Sequence, residues 1–462
     1  MDLPVIIPPI APRWVWMEEI TFSHIPIATM ITAFMVLAPI IEYLGYRWGD
    51  ERLDRLAKGF IWFSMILFSP GAALGTGIPM WIMGTYPEFW SRWTNLFFWP
   101  LIAQFGFFMM EVFFLFFAYY LTWERMKDRK PLHITFGAIA AFWGLAVQFV
   151  WDAVGSYMMT PGAPLPLVSE AVGWSAAAFF NPSFPYLFTH RFFGNISYVM
   201  MLVGGFFALR QLRQTDEVER KYFGWAADTC FTTGVLAFFA MPFIGWGYAR
   251  IIQIYAPEAF HSIMGGFSSP NFRVKMAAVT VLVLCGGTYL FARFRSKWLL
   301  WSVTAGVTAV SSIFWFHPVV SWFGSALVWR TVHTIVPLVF LGILWTWGKS
   351  WDPDARFWKR VMFTGGMAAF TAFLIGGFVR EKSRQPYTVY REIIKPEATT
   401  SEIDRFLLYE RCVYCHIGGE DFKKWKGRDW DVLVEAERRR PGVNLNDEES
   451  RRIINYLKEQ YP

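Results

Sequence analysis

Ten stretches of near-continuous apolar residues alternate along the chain with short polar segments, and the pattern predicts a bundle of membrane-crossing helices. A helix rises 1.5 Å per residue, so roughly 20 apolar residues cross the hydrocarbon core of a bilayer. The stretches are 22–46, 59–82, 95–122, 134–158, 188–210, 222–248, 274–292, 298–316, 329–348 and 360–379.

The polar segments between them are of two kinds. One set is basic: Arg47, Arg52, Arg55 and Lys58; Arg125, Lys127, Arg129 and Lys130; Arg210, Arg213, Arg220 and Lys221; Arg293, Arg295 and Lys297; Lys349, Arg356, Lys359 and Arg360. The alternate set holds only Arg92 in 83–94, no Lys or Arg in 159–187 or 317–328, and Arg250 with Arg273 in 249–273. Basic loops stay in the cytoplasm, so the second set faces outward. Both termini then lie outside, because the number of spans is even. Residues 1–20 carry one arginine and the acidic pair Glu18 and Glu19, which suits an external tail and not a cleavable signal.

Composition agrees: 55% of residues are hydrophobic, 19% aromatic and 17% charged, more apolar surface than a soluble core of this length needs. The net charge of +7 follows from the basic loops and is no sign of nucleic-acid binding.

Beyond the last span stands Cys412-Val-Tyr-Cys415-His416. Two thiols at this spacing add across the vinyl groups of haem c, and the adjacent imidazole binds the iron. A zinc site would need a second Cys or His pair, and none follows His416. Haem c places this tail in an oxidising compartment, most simply a bacterial periplasm, which agrees with the topology from charge. Cys230 and Cys285 lie in apolar stretches and imply no disulfide framework.

The chain therefore divides into an external tail (1–21), a membrane domain (22–381), a linker with Pro386 and Pro396 (382–398), and a small helical cytochrome c domain (399–462). The fold class is all-α: a polytopic transmembrane bundle with a small α-helical appendage. The tail has no Met after Met367, and Glu437 stands where an axial Met is expected. Water, Lys423 or a partner residue remain as sixth ligands.

Polar residues inside spans are costly and mark function or interhelical bonding. His24, His190, Met276, His333 and Glu381 all fall at outer ends of spans, as does His317; His133 falls at an inner end. Residues at one depth suit haems stacked in the outer leaflet. Each also has a packing alternative, since an intramembrane His can bond a neighbouring helix and a Met can fill a core. Glu42, Glu111 and Asp228 are buried acids, suited either to proton conduction or to interhelical bonding.

These segments resemble subunit I of the cytochrome bd oxidases. The similarity lies in His24-Ile-Pro-Ile through Glu42, in Gly84-Thr-Tyr through Pro100 to Glu111, and in the Gly155-Ser-Tyr-Met-Met-Thr-Pro-Gly162 turn. It is closest in Gly377-Phe-Val-Arg-Glu381-Lys-Ser-Arg384-Gln-Pro-Tyr387. The resemblance implies His190 and Met276 as axial ligands of a low-spin haem b. It implies His24 and Glu381 at a pair of high-spin haems, a b and a d, with Arg384 beside their propionates. It makes Glu111 a proton-conducting carboxylate, and it implies a haem-free second subunit.

The chain departs from the family in several places. Phe272-Arg273-Val-Lys275-Met276 is one residue longer than the family's Phe-Arg-Ile-Met. Ala103, beside Gln104, stands where the family has a further Glu. The quinol-binding loop shrinks to 249–273, and two added spans bring His317, Arg330 and His333, so that His333 is a further haem-ligand candidate.

The expected function is a haem oxidoreductase of the bacterial inner membrane. It passes electrons between a periplasmic cytochrome c or redox enzyme, its own haem c and its membrane haems, and reduces dioxygen. The alternative is an electron-transfer subunit linking the quinone pool or a periplasmic enzyme to cytochrome c without oxygen chemistry. A weaker third reading takes nitric oxide as the substrate.

Overall fold

The computed structural model describes residues 13–163, 172–256, 269–294, 355–382, 420–439 and 447–462, with isolated positions between them. Among these the chain is helical and contains no strand. The predicted spans 298–316 and 329–348, with His317, Arg330 and His333, lie outside the described residues, as do residues 383–399, Arg384, Cys415 and His416.

The membrane part comprises α1 (Arg13–Trp48), α2 (Glu51–Thr85), α3 (Pro87–Val112), α4 (Lys130–Tyr157), α5 (Phe184–Arg213), α6 (Glu217–Phe238), α7 (Met241–Tyr255), α8 (Ser269–Phe294) and α9 (Arg356–Lys382). They supply eight segments long and apolar enough to cross a membrane, with α6 and α7 forming one of them. Every predicted span in the described part is present, and each helix runs past its apolar stretch at one end or both. The backbone still needs its hydrogen bonds at the headgroup level, so the helix continues there.

The helix ends follow local chemistry. Gly49 closes α1 with a left-handed φ of 67°, and Asp50 then caps α2 by accepting from the Arg52 N–H at 2.9 Å. Asp216 caps α6 by accepting from Val218 and Glu219. Pro100 lacks an N–H and crowds the preceding turn, and α3 kinks at Phe97 (φ −118°, ψ 18°). The span predicted over 222–248 is likewise two helices, jointed just before Pro242.

Beyond Val112, α3 continues as a π-helix over Phe113–Tyr120, a widening that shifts the phase of the residues beyond it. One further difference from the sequence expectation concerns α1. It begins at Arg13, not near 22, so His24 lies about three turns inside the helix.

Antiparallel neighbours pack as α1 on α2, α5 on α6, α9 on α5, and α8 on α9. Small residues let backbones meet. At Gly366 an added Cβ would stand 2.6 Å from the Met201 carbonyl oxygen, and at Gly205 2.9 Å from the Phe363 Cα. One large apolar core runs through α1, α2, α4, α5, α6, α8 and α9, and a second joins α3 to the end of α4 through Trp93, Phe97 and Tyr157. Exposed Trp99, Phe105, Phe142, Phe243 and Trp246 face outward, where lipid or another subunit replaces water.

The basic loops share one end of the bundle, tied by Arg55 donating to both oxygens of Glu219 at 2.9 and 2.8 Å and by Lys58 and Lys127 on Glu124.

The tail forms its own core. The helices α10 (Trp430–Arg438) and α11 (Asp447–Gln460) pack Trp430, Val434, Ile453 and Leu457 against Leu408 and Phe422, with Cys412 at the edge. The Trp430 indole donates to the Tyr461 carbonyl at 3.0 Å.

Candidate functional site

Two polar clusters sit inside this apolar bundle, one at each end. At the end away from the basic loops, α1, α4, α5, α8 and α9 bring together His24, Asp152, His190, Arg191, Lys275 and Arg380. The His24 ring lies against α2, its Nδ1 3.0 Å from the Gly71 carbonyl oxygen. Gly75, one turn on, permits this approach, since a Cβ there would stand 2.9 Å from the His24 Cε1. His190 lies in the second turn of α5 beside α7, where its Nε2 would be 3.9 Å from a Cβ at Gly245 and its ring centroid is 6.1 Å from that of Tyr248.

Among the described residues the cluster holds more cations than carboxylates. Three cations, Lys275, Arg191 and Arg380, act on His190, and Arg191 acts on His24 as well. The carboxylate among them is Asp152, fully buried, which accepts from Arg191 and, at 3.1 Å, from the Gln148 amide. Asn195 extends the chain by donating to the Gln148 oxygen at 3.2 Å. The Arg380 guanidinium lies over Gly155, where a Cβ would meet it at 2.8 Å. Half-buried cations favour an anionic group beside them. A planar dicarboxylate carrying an iron that accepts imidazole fits this set, with Arg191 and Arg380 toward its carboxylates and His24 and His190 as nitrogen donors.

The opposite end is a closed network. Glu42, fully buried, accepts from the Tyr119 hydroxyl at 2.8 Å and from Lys130 at 2.9 Å, and contacts the His133 Nδ1 at 2.8 Å. The His133 Nε2 is 2.9 Å from the Tyr119 carbonyl oxygen, and Lys130 also binds Asp54 and lies over the Trp123 ring. Asp228 is likewise engaged, by the Tyr289 hydroxyl and by Arg293 at 3.2 Å.

Glu111 belongs to neither cluster. It is buried on α3 against α4, where a Cβ at Gly144 would stand 3.3 Å from its Oε1, and it has no ionic or hydrogen-bonding partner among the described residues.

Of the residues singled out from sequence, His24 and His190 share one cluster. Met276 stands in the first turns of α8, next to the Lys275 that acts on His190, and its side chain is packed into the main core. Glu381 is helical in α9, directly after Arg380, with its side chain outside the described part. Cys412 borders the tail core. Sequence reasoning missed Arg191, Asp152, Lys275 and Arg380 as members of the site. The signal was present in charged residues next to His190 and Glu381 and inside an apolar span.

Compared with known proteins, residues 13–409 match the family model described as cytochrome bd terminal oxidase subunit I. The structure of bd oxidase from Geobacillus thermodenitrificans superposes with a TM-score of 0.59 at 16% identity, covering 97% of this chain and 98% of that one. At that identity the likeness is one of fold. No curated protein matches the chain.

Proposed function

This chain belongs to the cytochrome bd terminal oxidase subunit I family and is a multi-pass membrane haem oxidoreductase of the terminal-oxidase type; we propose that it reduces dioxygen with electrons received through its own C-terminal tail. The family brings haem b and haem d, whose irons supply one-electron carriers and an open position for dioxygen.

In this reading His190 binds the low-spin haem b from α5, and its second ligand comes from the first turns of α8, where sequence alone named Met276. His24 and Glu381 serve the high-spin pair, and Arg384, Arg191 and Arg380 pair with propionates. Glu111 holds and releases a proton midway between the two ends, the role suited to a buried carboxyl without a fixed partner. Cys412, Cys415 and His416 hold haem c. His333 remains a further candidate ligand in the added spans.

The single observation that carries the reading is the meeting of His24 and His190 with the half-buried cations Arg191, Lys275 and Arg380 at one end of the bundle. That end is the periplasmic one, with both termini, by the charge of the loops. A second bd-like subunit covers part of the apolar surface. The short 249–273 segment favours a periplasmic cytochrome c or redox enzyme over quinone as the donor.

A pyridine haemochrome count with a carbon monoxide difference spectrum on the purified complex tests this. Covalent haem c, haem b and a carbon monoxide adduct with a haem d band are expected. Fully ligated b and c signals without an adduct would leave an electron-transfer subunit instead. Cys415→Ala should lose covalent attachment while the spans still assemble.

A further inference from the structure

We infer that Lys275, rather than Met276, is the residue of α8 that faces His190 across the haem iron, so that an imidazole and an amine hold the low-spin haem. The inference rests on the assignment of His190 above and completes it.

Adjacent residues on a helix point about 100° apart, so Lys275 and Met276 cannot both face His190. Met276 is 6% exposed and belongs to the main apolar core. Lys275 points to α9, where a Cβ at Gly376 would stand 3.3 Å from its Cε and 3.4 Å from its Nζ.

The helix crossings bring His190 to the same level. On one side of α9, Gly205 meets Met362 and Phe363, and Gly366 meets Met201 and Leu202. Running α5 and α9 antiparallel from those contacts sets His190 level with Gly377 and Phe378. On the other side, Gly365 meets the Cys285 Cβ at 3.0 Å, and the same counting sets Lys275 level with Ile375, next to the Gly376 that its Cε and Nζ lie over. His190 on α5 and Lys275 on α8 thus stand within about one turn of each other along α9, where Gly376 and Gly377 carry no side chains of their own and a Cβ at Gly377 would stand 3.5 Å from the Phe22 ring.

Of the cations acting on His190, Lys275 acts most strongly. It has no carboxylate partner among the described residues; its Nζ lies 5.9 Å from the Phe272 ring centroid. An amine that no described carboxylate holds is placed to act as a nitrogen donor. On binding, its proton leaves to solvent and its lone pair forms the bond to iron, whose oxidation state is unchanged. This register also removes the one-residue slip that Met276 requires.

The test uses the oxidised, detergent-solubilised complex. Near-infrared magnetic circular dichroism should give the charge-transfer band of imidazole–amine ligation; a thioether band overturns the inference. Lys275→Arg keeps the charge but cannot coordinate, so it should convert the low-spin haem b to a high-spin form that binds carbon monoxide. Met276→Leu should leave the low-spin signal intact. Retention in Lys275→Arg, or loss in Met276→Leu, overturns the inference.

If Lys275→Arg fails to assemble, the band of the unaltered protein decides. His190→Ala separates the two levels. Survival of the low-spin signal there sinks the assignment of His190 itself, whereas its loss beside an unaffected Lys275→Arg sinks only the role of Lys275.

Discussion

The two ends of the bundle bury similar residues in opposite ways. At the basic-loop end, Glu42 satisfies Lys130, Tyr119 and His133 at once, and the His133 ring nitrogens meet Glu42 and the Tyr119 backbone. At the other end, Arg191, Lys275 and Arg380 surround two histidines, with Asp152 as the carboxylate among the described residues. A buried histidine is therefore no guide by itself. Whether its surroundings already balance their charge separates a structural clasp from a place built for a further group.

His190→Ala carries the largest effect of the comparison: complete loss of the low-spin haem b spectrum, with haem c retained and the unfolding midpoint of the apolar bundle little changed. Glu42→Ala should do the reverse. It leaves Lys130 and His133 without their acceptor, costs about 3–5 kcal/mol in thermal unfolding, and keeps the haem spectra of the folded fraction.

Gly75→Ala pushes a methyl against the His24 ring and should cost about 1–3 kcal/mol while shifting the high-spin spectrum and sparing the low-spin one. Asp152→Asn enlarges the positive surplus. Because that surplus favours the reduced, less positive iron, the midpoint of haem b should rise in a redox titration, and an unchanged midpoint would detach this cluster from the haem.

The smallest effect belongs to the rim. Lys127 and Lys58 hold the exposed Glu124 carboxyl down to about 2 from its ordinary 4.5. A carboxyl lowered by folding contributes fully above 4.5 and loses its contribution as pH falls toward 2. Water and salt screen so exposed a pair, so Glu124→Gln should leave the neutral-pH unfolding midpoint unmoved in low and high salt alike.

Spans and their alternation were legible because apolar length and loop charge are local properties, and the shared depth of His24 and His190 followed from them. Helical phase was not legible. Lys275 and Met276 are neighbours in sequence, and only the crossing with α9 shows which one faces Gly376. The joints at Phe97 and before Pro242 had a visible cause in proline, yet their positions depended on packing. The π-helix at Phe113–Tyr120 carried no such mark; it falls within a run rich in Phe and Tyr that reads as ordinary helix. His133, read as the outlier among the histidines because of its depth, proved to be the centre of the inner clasp.

The backbone contacts at Gly205 and Gly366 lock α5 to α9 like two keyed shafts. Sliding either past the other would drive a carbonyl into a Cα, so His190 and Glu381, the ligands proposed on these two helices, would hold their spacing when the charge on iron changes. Nuclear rearrangement on electron arrival is then small, and electron hopping through this end should depend only weakly on temperature.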